Sequence, residues 1–207
     1  MKKKAELIGQ IVEQFKNRNT PVRTWISDIT TDNLAIVIAK YYSAIVGQVY
    51  NQESIAERCS IIAKYLTQTD KIGLALIGPP GTGKSSFLRA ISRSLIHFGK
   101  PAFCFETSII KELITNHPED WDSYCSGRFC LVDDVGVEQY EIKQYGNSMT
   151  PVRTLIEGRY SKRLPTIFTS NLNIKSLSEL YGDRVSDRLK EYAIIAFNEQ
   201  SYRGRVK

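Results

Sequence analysis

The apolar positions of the chain change their period part-way along it. Residues 5–16 carry one stripe at helical spacing (Leu7, Ile8, Ile11, Val12, Phe15), and residues 31–50 predict a second helix after the break Asn17-Arg18-Asn19-Thr20-Pro21. Residues 51–68 predict a third, with Ile55, Cys59, Ile62, Ala63 and Leu66 on one side, placed to cover a face of whatever follows. From residue 72 onward, short unbroken apolar runs alternate with helical patterns. Strands are expected over 72–77, 101–106, 129–134, 165–170 and 192–198, and helices from Lys84 (Phe87, Leu88, Ile91, Leu95) and over 107–115, 151–163 and 176–190. Strands that are apolar throughout must be covered on both faces, so the alternation predicts an α/β fold: a five-stranded, mainly parallel sheet between two helical layers. Residues 136–150 are polar and irregular, and no internal repeat is visible. The organisation expected is a short helical region over 1–50, able to serve for partner docking, and a core over 51–207.

The first strand runs into Gly78-Pro79-Pro80-Gly81-Thr82-Gly83-Lys84-Ser85, followed by Ser86, which satisfies G-x-x-x-x-G-K-[ST] in full. The glycines let backbone N–H groups turn inward around phosphate oxygens. Lys84 adds a point charge for the β and γ phosphates, and Ser85 a hydroxyl for Mg²⁺. A helix starting at Lys84 aims its positive end at the same anion. The fold expected is therefore that of a P-loop NTPase, with ATP and Mg²⁺ as cofactors.

Three further places carry candidate chemistry. Phe129-Cys130-Leu131-Val132-Asp133-Asp134 ends an apolar strand on two acids, the pattern of a Walker B strand. There Asp133 orients water on Mg²⁺ and Asp134 polarises the attacking water, although Asp134 is one methylene shorter than the Glu most such ATPases carry. Asn171 follows the strand 165–170 at the carboxyl end, where parallel sheets place ligands; it holds a water, senses the γ-phosphate, or simply caps a turn. Arg184 and Arg188 stand four residues apart on one predicted helix, a like-charge spacing that asks for an anion, either Asp187 nearby or the γ-phosphate of a neighbouring subunit.

In order, Leu131-Val132-Asp133-Asp134-Val135-Gly136 with Glu138, Glu157-Gly158-Arg159-Tyr160, 165–172, Gly182-Asp183-Arg184-Val185-Ser186-Asp187-Arg188-Leu189 and Ser201-Tyr202-Arg203 resemble the AAA+ ATPases of the DnaC-type helicase loader and IstB-type transposition helper family, over residues 72–203. The resemblance implies an AAA+ core with Asn171 as sensor 1 and an arginine finger given across a subunit interface. Motif position favours Arg188, with Arg184 as the alternative. Arg203 matches the family's terminal arginine or is a tail charge. The resemblance also implies that ATP state controls contact with DNA and a larger machine. In a loader this is single-stranded DNA and a replicative helicase; in a transposition regulator, double-stranded DNA, a transposase and self-assembly into an oligomer or filament. A nucleotide switch with negligible turnover is the third reading, raised by Asp134. The chain stops nine residues past Asn198, so no C-terminal lid domain is expected. Phe105, Ile109, Lys111, Trp121 and Tyr124 offer aromatic faces near cations for a single strand, or else belong to the core.

Bulk properties alter this little. The net charge of +6 is compatible with a nucleic-acid partner, but Lys2, Lys3, Lys4, Arg203, Arg205 and Lys207 place much of it at the two ends. A hydrophobic share of 42% suffices for a real core and excludes disorder of the whole chain. The four cysteines show no C-x-x-C pair, so no metal–thiolate site is expected; Cys104 and Cys130, in apolar surroundings, are expected to be buried. No run has membrane-spanning length and no signal peptide is visible, which predicts a cytoplasmic protein without a membrane partner.

Overall fold

The computed structural model describes residues 25–47, 52–138, 141–144, 147–198 and 201–202; the predicted helix over 5–16 and Arg203 lie outside them. Thr30 opens helix α1 (Thr31–Val46) by accepting a hydrogen bond from the backbone N–H of Asn33, and Leu34, Ile38 and Tyr42 form its buried stripe. Helix α2 (Gln52–Thr67) buries the five apolar positions its period marked. Strand β1 (Gly73–Ile77) is buried at every residue and leads through the glycine loop into α3 (Lys84–His97). These three helices and one face of the sheet form a single apolar core.

Strand β2 (Ala102–Glu106) is followed by a 3-10 turn (Thr107–Ile109), α4 (Ile110–Asn116) and α5 (Pro118–Ser126), whose first residue is a proline. Then come β3 (Phe129–Asp133), a small antiparallel pair β4 (Ile142–Gln144) and β5 (Asn147–Met149), and α6 (Pro151–Ser161). Strand β6 (Thr166–Ser170), α7 (Ile174–Tyr181), α8 (Asp183–Leu189) and β7 (Tyr192–Ala196) complete the order. The second face of the sheet carries a separate apolar core that includes residues of α4 to α8.

The five-stranded sheet has the order β2-β3-β6-β1-β7, and every pairing is parallel. Chain leaving β1 crosses toward β2 at one edge, while chain leaving β6 goes to β7 at the other. The crevice at the carboxyl ends of β1 and β6 is therefore the place where an open α/β sheet takes a ligand.

Four local expectations differ from what the fold shows. The single helix expected over 176–190 is two, because Gly182 adopts a left-handed φ of 84° that ends α7 and starts α8. The segment 136–150, expected to be irregular, contains the β4–β5 pair, with Ile142 buried. The helix expected over 107–115 is a 3-10 turn plus α4, and α5 follows it. Cys104, expected to be buried, is exposed: β2 is an edge strand, and the row shared by Cys104 and Glu106 is open to solvent. Cys130 lies on β3 inside the sheet, and burial pushes its thiol up to about 12.

Candidate functional site

Three neighbouring strands, β3, β6 and β1, release their candidate residues from the same edge of the sheet. Their register aligns Ile77 with Ser170 and Val132 with Phe168, so Gly78 leaves the sheet level with Asn171, while Asp133 lies level with Thr169, two residues earlier on β6. In the glycine loop Gly78, Gly81 and Gly83 all have positive φ. Gly78 also admits no larger residue, because a Cβ there would lie 2.1 Å from the carbonyl oxygen of Phe197. Pro79 and Pro80 are exposed, Ser85 and Ser86 half-buried, and Thr82 is buried with its hydroxyl donating to Pro79 O at 2.9 Å.

Lys84 is 4% exposed, and its ammonium donates to Gly78 O and Pro79 O, each at 2.7 Å, and to Asn171 Oδ1 at 2.9 Å. An ammonium has three N–H donors, and these contacts match them in number. The side chain thus ties the loop to the end of β6 and places a buried positive charge where the loop would enclose a phosphate.

Asp133 is 3% exposed and its carboxylate is fixed by the hydroxyl of Thr169, which donates to Oδ1 at 2.5 Å. The same Thr169 hydroxyl accepts from the backbone N–H of Asp134 at 2.8 Å. Asp134 sits at φ 58°, a conformation that few residues other than glycine hold without support. Its backbone is secured on the other side by the hydroxyl of Thr107, which donates to Asp134 O at 2.8 Å. The two acids are consequently presented by a rigid turn. Neither Thr169 nor Thr107 was given a role from the sequence, where Thr169 fell within the strand 165–170 and Thr107 opened the helix expected over 107–115; the β3–β6 and β2–β3 pairings bring them to the acids. Replacing Thr169 by valine keeps the shape and removes both hydrogen bonds. It is expected to cost about 1–3 kcal/mol of stability, read as a lowered urea midpoint at unchanged slope.

Arg188 is partly exposed; it pairs with Asp187 at 3.1 Å, and its guanidinium lies 4.2 Å over the ring of Tyr160. The Tyr160 hydroxyl donates to Glu191, which raises its pKa, with burial adding to the shift. Arg184 is exposed one turn earlier on α8. Asp187, considered above as the anion for Arg184, pairs with Arg188 and Lys190. Arg188 is thus engaged with Asp187 and Tyr160, and Arg184 is exposed on the same helix. Of the proposed aromatic strand-binding face, Phe105 and Trp121 are buried, with Phe105 stacked on Tyr124 at 4.7 Å; Ile109 and Lys111 are exposed.

The residues present fit a bound Mg·nucleotide. The loop is a cradle closed to side chains, Lys84 supplies the positive charge, and Ser85 and the buried Asp133 offer the hard oxygen donors that Mg²⁺ prefers. Among the described residues no helix is long and apolar enough to cross a membrane.

No family model matches the chain. It is 27% identical over 139 residues to the replicative helicase loader DnaC of Escherichia coli strain K12, covering 62% of this chain and 55% of that protein, so the chain spans about half the length of that curated relative. Among solved structures it superposes on DnaI with a TM-score of 0.59, at 16% identity over 86% of this chain and 95% of that one. It also superposes on AMPPCP-bound DnaA from Aquifex aeolicus with a TM-score of 0.54, at 15% identity over 74% and 49%. At such identities the structural likeness bears on the fold, which is that of the P-loop AAA+ proteins.

Proposed function

We propose that the chain acts as a DnaC/IstB-like AAA+ ATPase, a reading supported by its similarity to a replicative helicase loader, and that it binds Mg·ATP in the loop from Gly78 to Ser85 and hydrolyses it in an assembled state. Its output is that of a replication factor engaging a replicative helicase and single-stranded DNA. One observation carries the nucleotide part: the Lys84 ammonium is held where the glycine loop meets Asn171, next to an Asp133 immobilised by Thr169. The replication part is supported by the sequence similarity to a replicative helicase loader. The N-terminal region over 1–50 remains the proposed docking element, with the core over 51–207.

In this reading the backbone of the loop and the N-terminus of α3 bind the phosphates, and Lys84 exchanges one of its present acceptors for a phosphate oxygen. Asn171 is thereby released to meet the γ-phosphate. Ser85 and Asp133 would hold Mg²⁺, which when bound neutralises charge on the phosphates. Asp134, on its pinned turn, orients and takes a proton from the attacking water. The arginine comes from the next subunit; Tyr202 is already tied to the loop through its N–H to Gly81 O at 2.9 Å.

Lys84→Ala is expected to weaken ATP binding by about ten- to a hundredfold, the worth of one or two charge-assisted hydrogen bonds. Titration with a fluorescent ATP analogue checks it, and equal affinity in the parent and the variant would overturn the assignment. The partner is tested by co-sedimentation with a hexameric replicative helicase: an ATP-dependent complex is expected. No complex, together with filaments on duplex DNA, would replace the loader reading with the transposition one.

A further inference from the structure

Asp133, Asp134 and Asn171 belong to the subunit's own nucleotide site, whereas Arg184 and Arg188 act, in the reading above, on the site of a neighbour. A continuous set of contacts joins the two within one chain. Val135 N donates to Thr169 O at 2.9 Å, and the Ser170 hydroxyl donates to Val135 O at 2.6 Å while accepting from Leu172 N at 3.0 Å. The turn after β3 and the segment carrying Asn171 therefore move as one piece. Gly136 extends the contact, for a Cβ there would come within 2.6 Å of the Leu172 side chain.

From this turn the connection passes to the arginine helix through one carboxylate. Glu138 accepts from Gly136 N at 2.8 Å with one oxygen and from the Tyr181 hydroxyl with the other. Tyr181 is the last residue of α7; it is 1% exposed and packed in the same core as Leu177, Val185 and Leu189. The residue after it is Gly182, whose left-handed φ makes it the joint between α7 and α8. Val185 and Leu189 bury one side of α8, and Arg184 and Arg188 lie on its more exposed side.

We propose that the Glu138–Tyr181 hydrogen bond couples each subunit's own nucleotide site to the arginine helix that the same subunit presents to its neighbour. This rests on the reading that ATP binds at Lys84. When phosphate takes an acceptor position on Lys84, the Lys84–Asn171 contact loosens, and the joined segments 133–136 and 170–172 shift together. Glu138 follows through Gly136 N–H, and Tyr181 turns α8 about Gly182. Tyr181 and Glu138 are positioning residues, acting through Arg188 rather than on the nucleotide. The consequence is directional: an occupied site sets the arginine offered to the next one.

Hydrogen exchange of the full chain, with and without a non-hydrolysable ATP analogue and Mg²⁺, tests this without relying on turnover. In the parent, ligand is expected to change exchange in residues 78–85 and, by about fivefold or more, in residues 183–189, the lower range of an allosteric coupling. Tyr181→Phe keeps the ring and loses only the hydroxyl; it should retain the response at 78–85 and lose that at 183–189. Glu138→Ala, made from the other side of the contact, should do the same, and the double variant should do no more than either single one. If 183–189 responds equally in parent and Tyr181→Phe, or does not respond in a parent whose 78–85 does, the coupling is overturned. If 78–85 itself is unaffected in the parent, the nucleotide-binding reading fails and takes the coupling with it.

Discussion

Arg159→Ala is expected to lose a large part of the stability of the fold. The side chain is fully buried, and all five of its N–H donors are used: Nε to the Thr166 hydroxyl at 3.0 Å, one terminal nitrogen to Tyr124 O and Gly127 O at 2.9 and 2.7 Å, the other to Arg128 O and Pro165 O at 3.2 and 2.7 Å. These oxygens belong to the last turn of α5, the approach to β3 and the start of β6, so one guanidinium closes the end of the sheet opposite the nucleotide loop. Burial lowers its pKa, but an arginine remains charged, and backbone carbonyl dipoles hold it. Truncation leaves buried acceptors without their donor at about 1–3 kcal/mol each, and opens a cavity as well. A loss on the order of 4 kcal/mol is a large part of the roughly 5–15 kcal/mol available to a domain. Arg159→Lys should recover little, because a single ammonium cannot reach five acceptors laid out for a planar fork. Guanidinium denaturation reads the result, and a midpoint equal to the parent's would remove the structural role.

The second large effect is on turnover. Arg188→Ala is expected to reduce ATP hydrolysis by the assembled protein by about a thousandfold, the lower range for a finger arginine, with ATP affinity of the single chain unchanged. In the isolated chain Arg188 is engaged with Asp187 and the Tyr160 ring. Both contacts are partly solvated, of a kind that contributes roughly 0.5–1 kcal/mol or less. A desolvated phosphate at an interface can displace them, so the Tyr160 face presents the guanidinium without trapping it. Arg184→Ala is the comparison. If it produces the thousandfold loss and Arg188→Ala does not, the finger is Arg184.

The places where the chain could be read directly were those governed by neighbouring residues. Glycine spacing defined the loop, and α3 begins at Lys84 as expected. The five apolar runs are the five strands. The stripe of α2 is buried residue for residue. The helix over 176–190 was misread at Gly182 because a lone glycine inside an apolar period is compatible with a continuous helix. Its φ of 84° breaks the helix there, and Tyr181 and Val185 on either side are both buried in one core. Cys104 was misplaced for a related reason: an apolar run does not say whether its strand lies at an edge, and β2 does. Arg159 stood in a recognisable motif, yet nothing in Glu157-Gly158-Arg159-Tyr160 distinguishes a fully buried guanidinium from an exposed one.

The chain by itself determined the five strands of the main sheet, the phosphate loop and the two acids at a strand end, because these follow from periodicity and from side chains a few positions apart. Tertiary structure alone decided which groups meet. Lys84 reaches Asn171 across 87 positions, Thr169 reaches Asp133 across 36, and Glu138 reaches Tyr181 across 43. Each meeting depends on where the chain lies after folding; for Lys84 and Thr169 it follows from the order β3-β6-β1, which no local preference encodes. That order buries β3, β6 and β1 at every residue between two helical layers, leaves β2 and β7 at the edges, and turns separate motifs into one site.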